Sequence, residues 1–156
     1  MNMLKSINDL RRKLMHRITK NIGVSHISKN IDLTKKVKIK KILICRPNHR
    51  LGNLLLITPL IQEVITIFPD CEIDLFIKGN LGPILYKNYE NVNRIIKLPR
   101  KPFEHLINYC LVWISINKGH YDLVINGDKN SSSGRLSTQI ANSKYKVFGD
   151  VTKEFN

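Results

Sequence analysis

Between Arg46 and Asn53 the chain reads Arg-Pro-Asn-His-Arg-Leu-Gly-Asn, with Arg46, His49 and Arg50 close together. Guanidinium groups offer forks of donors that match phosphate and carboxylate oxygens. An imidazole titrates near neutral pH and can take a proton from a hydroxyl. Gly52 can adopt a positive φ or admit a close backbone approach, and Asn53 is a good N-cap for a following helix. Cations beside helix-start amides suit a phosphate or another anion. Solvated arginines and an Asn53 that merely caps would fit the same residues. The loop is neither a Walker loop, because GK[ST] is absent, nor a GxGxxG fingerprint, because Gly52 stands alone, so the standard Rossmann mode of nucleotide binding is unsupported.

A second loop, Asn126-Gly127-Asp128-Lys129-Asn130-Ser131-Ser132-Ser133-Gly134, offers amides and hydroxyls at Asn126, Ser131, Ser132 and Ser133 that could hydrogen-bond a sugar. Asp128 could accept a proton there. An ordinary cap-rich turn before a helix would read the same way. His16, His26, His105 and His120 have no ligand spacing, and they read as surface or packing residues.

Both loops need elements to hold them. Ile42 to Cys45 is an unbroken apolar run, as a strand buried on both faces requires. Leu60, Ile61, Val64, Ile65 and Phe68 recur at helical spacing, so strand, loop and helix follow in turn. Further strands are expected at 72–77, 92–98, 121–125 and 145–148. Helices are expected around 83–86, over 103–117 and around 135–141. On the helix over 103–117, Phe103, Leu106, Ile107, Cys110, Leu111 and Ile114 share one face. Strands alternating with helices imply an α/β parallel sheet. The expected order, 3-2-1-4-5, sets the loops after strands one and four side by side at the switch point, where ligands bind in such sheets.

At 156 residues the chain can form one domain with a substantial core. Its net charge of +14 is uneven: residues 1–41 hold 12 Lys/Arg against 2 Asp/Glu, leaving 14 against 10 for the rest. Residues 1–40 therefore read as a basic arm and linker, and residues 41–156 as a globular domain. In the arm, Met3, Leu4, Ile7, Leu10, Leu14, Met15 and Ile18 form a helical stripe with Lys and Arg around it. A basic amphipathic helix over residues 3–20 would lie on an anionic membrane face, or dock its stripe on this or another domain. Nucleic acid is not expected as a partner, since no aromatic interleaving or recognition-helix pattern occurs. Cys45, Cys71 and Cys110 lack metal spacing and are expected as free buried thiols in a reducing compartment. No apolar run reaches the length of a membrane span. A cytoplasmic protein is expected, peripheral on the inner membrane face if the basic helix acts there.

The segments KILICRPNHRLGNLLLITPLIQEVITIFPDCEIDLFIKG, GNLGPILYKNYENVNRII and YDLVINGDKNSSSGRLSTQIANSKYKVFG, spanning roughly residues 40–149, resemble the N-terminal half of the family-9 glycosyltransferases, the lipopolysaccharide heptosyltransferases and their relatives. In that family a strand, a loop ending R-x-G-D, an L-L-x-T-P helix start and a P-x-A-x-I-D strand come in this order. The resemblance implies a Rossmann-like acceptor-binding half of a GT-B enzyme. A nucleotide-sugar donor would be held by a C-terminal half that this chain is expected to lack, with no other cofactor and no metal. It implies inverting transfer to a lipid-linked saccharide, with a base on the first loop. The family's Asp after the loop glycine is Asn53 here, and a carboxamide cannot take that proton at neutral pH. The base would then be His49 or Asp128, with Asn53 orienting the acceptor, and Arg46, Arg50, Gly52, Asn126, Ser131 and Ser132 binding it. An exposed apolar face is expected where the second half would dock.

Two other functions fit the same residues. One is a non-catalytic module, membrane-associated or partner-binding, that keeps the half-fold; the other, disfavoured by the missing glycine fingerprints, is a small nucleotide-binding regulator.

Overall fold

The computed structural model describes Lys13, Leu14, Arg17, Thr19, Ile22 and residues 38–149. Five strands, β1 (Lys41–Arg46), β2 (Glu72–Lys78), β3 (Val92–Leu98), β4 (Tyr121–Asn126) and β5 (Ser143–Val147), form one sheet in the order β3-β2-β1-β4-β5. Every adjacent pair is parallel. This is the α/β, Rossmann-like arrangement and the strand order expected from the alternating pattern.

The central strand explains itself. Ile42, Leu43, Ile44 and Cys45 are all buried, Ile42 and Ile44 toward one face of the sheet and Leu43 and Cys45 toward the other. A strand between two helix layers has no solvated side, so its sequence carries no polar alternation. The first face is covered by α1 (Leu51–Leu55), α2 (Thr58–Ile67) and α3 (Gly82–Tyr86), which contribute Leu54, Ile61, Val64 and Tyr86 to its core. The second face is covered by α4 (Leu106–Asn117) and α5 (Ser132–Ile140), with Tyr109, Val112, Trp113 and Ile116 facing inward from α4. Trp113 meets Phe76 edge to face at 5.5 Å between centroids.

Three expectations change. The helix after the first loop is two, broken around Leu56 and Ile57, and Pro59 stands in the first turn of α2, where its missing N–H costs no hydrogen bond. Leu106, Ile107, Cys110, Leu111 and Ile114, expected to share one face, do so on the exposed side of α4, and Phe103, expected within the helix, stands just before it and is exposed as well. Cys110 is thus not a buried thiol, whereas Cys45 and Cys71 are. The reason is that α4 carries no charged residue and is apolar nearly all round, so its spacing admits two stripes. Packing against Phe76 selects the one that contains Trp113.

At the amino-terminal end of the sheet, Asp74 is buried and accepts from Arg94 Nη2 at 2.8 Å and from the Tyr121 hydroxyl at 2.8 Å, which ties β2, β3 and β4 together. Burial, then the Asp74 carboxylate, pushes the Tyr121 phenol upward. Asp122 accepts from the backbone N–H groups of Lys40 and Lys41 and so fixes the entry to β1. The expected basic helix over residues 3–20 falls largely outside the described residues, although Lys13, Leu14, Arg17 and Thr19 are helical. Thr19 is buried, and the Ile22 carbonyl accepts from Arg135 Nη2 at 2.6 Å.

Candidate functional site

The sheet order brings the first and second loops together at the carboxyl ends of β1 and β4, and one side chain joins them. Arg46 ends β1 and is almost wholly buried. Its Nη1 donates to the Gly127 carbonyl, and its Nη2 lies 3.8 Å from Asp128 Oδ2. The backbone repeats the link, since Gly127 N–H donates to the Cys45 carbonyl at 2.9 Å. Arg46 Nε is buried without a partner among the described residues. The guanidinium therefore acts mainly as a clamp between loops.

The second loop is built the same way. Asn126 is buried; its Nδ2 donates to the Phe148 carbonyl at 3.0 Å, and its Oδ1 accepts from Asp128 N–H at 3.3 Å. Asp128 Oδ1 accepts from Asn130 N–H at 3.0 Å. Ser131 caps α5, its Oγ accepting from Gly134 N–H at 3.0 Å, and stands 3.4 Å from Ser133 Oγ. Ser132 opens α5. Asn126 and Ser131 thus hold the loop's own backbone, as the cap-rich-turn alternative described.

Asn53 departs from its expected place. It is the third residue of α1, whose N-cap position is Arg50 with no side-chain cap, and its carboxamide makes no hydrogen bond to the described residues. Gly52 has no positive φ, and a Cβ built there would meet nothing within 4 Å. The turn is instead closed by Asn48, whose Oδ1 accepts from Arg50 N–H at 3.0 Å. The carbonyl of Leu54 accepts from the Tyr86 hydroxyl at 2.5 Å, which anchors α1 to α3. Burial pushes that phenol up to about 12.

His49 lies the other way along the edge, against the turn after β2. Lys78 N–H donates to the Asn48 carbonyl at 3.2 Å, which draws the first loop against the end of β2. Gly79 follows with φ of +86°, and a Cβ there would lie 3.4 Å from His49 Cβ and 3.6 Å from Arg100 Nε. A glycine at this point keeps the backbone in a left-handed turn while the two side chains close over it. Next to them opens a cleft of about 390 Å³ lined by Gly79, Asn80, Lys97, Leu98, Pro99, Arg100, Lys101 and His105. His105 is exposed, as a surface residue would be, and it lines this cleft. Partial desolvation, then Arg100, Lys78 and Arg50, lower the pKa of His49. The shift favours the neutral imidazole, the form that can accept a proton, within a cationic neighbourhood that favours an anion.

Lys78, Arg100 and Lys101 escape a reading of the sequence for motifs. Their signal lies in Lys78 at the end of β2 and in Lys97-Leu98-Pro99-Arg100-Lys101-Pro102 at the end of β3, because every parallel strand delivers its carboxyl end to the same edge. Among the described residues, no group of three His, Cys, Asp or Glu stands where it could hold a metal ion, and no helix is long and apolar enough to cross a membrane.

No family profile and no curated protein matches the chain. Among solved structures, it is similar to the glycosyl transferase family 9 structure from Veillonella parvula DSM 2008, at 22% identity and a TM-score of 0.51. The likeness covers 66% of this chain and 30% of that one, so the chain spans under a third of the length of the protein it matches, and what the two share is the parallel α/β fold.

Proposed function

We propose that this chain is the acceptor-binding half of a family-9 type glycosyltransferase, acting on a phosphorylated, lipid-linked saccharide of a bacterial envelope. The observation that carries the reading is the cationic cleft between the ends of β2 and β3, with His49 beside Gly79 and Arg100 at its margin. Lys97, Arg100 and Lys101 would take the acceptor's anionic groups, with Arg100 the best suited to bidentate phosphate recognition. His49 would remove the proton from the acceptor hydroxyl as its oxygen attacks the anomeric carbon of a nucleotide-sugar donor, with inversion and departure of the nucleoside diphosphate. Nearby cations lower the basicity of His49 but also stabilise the alkoxide character that develops on the acceptor. The donor would be held by a part of the fold that this chain does not span. Asn53, half-buried on α1, would orient the acceptor by hydrogen bonds. Asp128, engaged by Arg46 and Asn130, is the less suited base.

Asn53 also favours a second reading. If the half-fold is kept without turnover, as a membrane-associated or partner-binding module, a carboxamide at the position of the family's carboxylate is what would be expected.

Calorimetry with a deacylated, bisphosphorylated lipid A saccharide, compared with the same saccharide after phosphatase treatment, tests the acceptor assignment. The phosphorylated form is expected to bind, and Arg100→Ala with Lys101→Ala to weaken it at least tenfold. Equal binding of the two saccharides, or of wild type and variant, would refute the cleft as the acceptor site. Transfer by a longer form carrying a donor-binding half, lost on His49→Ala, would separate the enzyme from the inert module.

A further inference from the structure

The outer side of α4 is one of the apolar parts of the described surface that the fold leaves uncovered; Leu55, Leu56, Ile67 and Ile84 are exposed on the other face of the sheet. Leu106, Ile107, Cys110, Leu111 and Ile114 run along the outer side of α4, with Phe103 at the head; Phe103 is 85% and Ile107 77% exposed. The opposite side of the same helix already fills the core through Trp113 and Ile116, so this second stripe is not needed for folding. Its surroundings are strongly one-signed. Over residues 91–120 five Lys or Arg stand against a single acid, Glu104, which is engaged by Lys101 at 2.7 Å; of the five, Arg94 is taken up by Asp74 at the other end of the sheet. Exposed Lys97, Arg100 and Lys101 lie at the head of the helix and exposed Lys118 at its foot, while the helix between them has no charge.

We propose that the outer face of α4 is a membrane-docking surface, inserting Phe103, Ile107 and Leu111 into the interface of an anionic bilayer with Lys97, Arg100, Lys101 and Lys118 on its headgroups. An apolar stripe rimmed by cations is the composition of helices that lie in the plane of such an interface. A partner protein of ordinary surface would leave the rim unpaired, whereas an anionic leaflet neutralises it, each cation contributing about fivefold to partition. The surface is separate from the basic stripe expected in residues 3–20 and rests on different residues. It also sets the cationic cleft, which shares Arg100 and Lys101, beside the headgroups, where a lipid-linked acceptor would be presented.

Cys110 allows a direct test. Cys45 and Cys71 are buried, and burial raises both thiols, Cys45 to about 11, so an environment-sensitive fluorophore can be placed on exposed Cys110. The full chain is mixed with vesicles of phosphatidylglycerol and phosphatidylcholine, or of phosphatidylcholine alone, and both flotation and emission are followed. The expected result is a blue shift with the anionic vesicles only, weakened by salt. Phe103→Asp with Ile107→Asp, both at exposed positions, should lower the flotation of unlabelled chain at least tenfold with its circular dichroism unchanged. Flotation without a blue shift would mean that residues 3–20 bind instead, and would overturn the proposal. So would a blue shift without lipid that grows with protein concentration, the signature of a second copy on the stripe, or an absence of binding to either vesicle.

Discussion

Removal of the Asp74 side chain tests how the sheet is locked at the end opposite the cleft. The carboxylate is 1% exposed and takes two hydrogen bonds of 2.8 Å, from Arg94 and from Tyr121. Breaking a buried ion pair generally costs about 3–5 kcal/mol, because the partner is left charged and dry. Here the partner is not dry: the Arg94 side chain is 49% exposed and can turn to water. The loss is then set by the Tyr121 hydroxyl, which is left without its acceptor inside the sheet, at about 1–3 kcal/mol. Asp74 Oδ1 is buried with no partner among the described residues, so its removal returns part of a cost already present in the native state. Asp74→Ala is accordingly expected to destabilise by about 1–2 kcal/mol, or about 2–8 °C in Tm for a domain of this size.

Urea unfolding followed by circular dichroism would measure this, with Asp74→Asn as the control that keeps an acceptor for Tyr121 and removes only the charge. The control should cost about 1 kcal/mol less than the alanine variant. Equal losses would show that the charge and not the hydroxyl bond matters, and would refute the reasoning. The same triad sets an alkaline limit. The Tyr121 phenol titrates above its ordinary value in the folded chain, so the unfolded chain releases the proton first. Stability held below about pH 10 is then lost as the pH rises past that point.

Other outcomes follow from the site. His49, its pKa lowered by desolvation and by Arg100, Lys78 and Arg50, should titrate below an ordinary histidine by NMR; Arg100→Ala or added inorganic phosphate should move it up, and an unmoved midpoint would remove His49 from the cationic cluster. Because the unfolded histidine takes its proton at higher pH, His49 withdraws stability as the pH falls below about 6.5. Tyr86→Phe should cost about 1 kcal/mol by urea unfolding through the lost bond to the Leu54 carbonyl, and should speed amide exchange in α1. Gly134→Ala would put a Cβ 2.4 Å from Asn126 Oδ1; a loss of about 1–3 kcal/mol is expected, and an unchanged Tm would mean that the Asn126 network gives way at no cost.

Legibility in the sequence follows the number of neighbours that constrain each residue. The strand Ile42–Cys45 is packed from both sides, and two-sided burial leaves an apolar run that no other element of this length explains. The strand order is legible for a related reason, since a parallel sheet fixes crossovers and edges together. Helix α4 is legible as an element but not in its orientation. Its twelve residues could satisfy the core with either face, and the choice depends on Phe76 of β2, a contact distant in the chain that no local pattern encodes.

The loops resist reading for a different reason. Asn53 resembles a cap because a polar residue before an apolar run usually is one, yet α1 begins two residues earlier, after Arg50, and uses no side-chain cap. Asn126 and Ser131 resemble sugar ligands because a hydrogen-bonding group has the same chemistry whether it faces a ligand or its own backbone, and only the fold says which.

That distinction also decides where chemistry can take place along the carboxyl edge. On the β4 side, Arg46, Asn126, Asp128 and Ser131 hold one another, and their hydrogen bonds are committed to the Gly127 and Phe148 carbonyls and to the amides of Asn130 and Gly134. On the β2 and β3 side, Lys97, Arg100, Lys101 and His105 surround open volume with one carboxylate, Glu104, against them. A fold gains nothing by gathering cations that repel one another, and they lower the proton affinity of the histidine at their margin. Such a cluster is stabilised when an anion enters it, and the proton affinity of His49 rises at that moment. Binding of a phosphorylated acceptor would thus strengthen the base beside it, and the coupling is measurable as proton uptake: phosphate binding by wild type should draw protons from buffer near an ordinary histidine's midpoint, about pH 6.5, and binding by His49→Ala should not. Equal uptake by both would place the linked proton on the ligand and leave His49 without a part in the site.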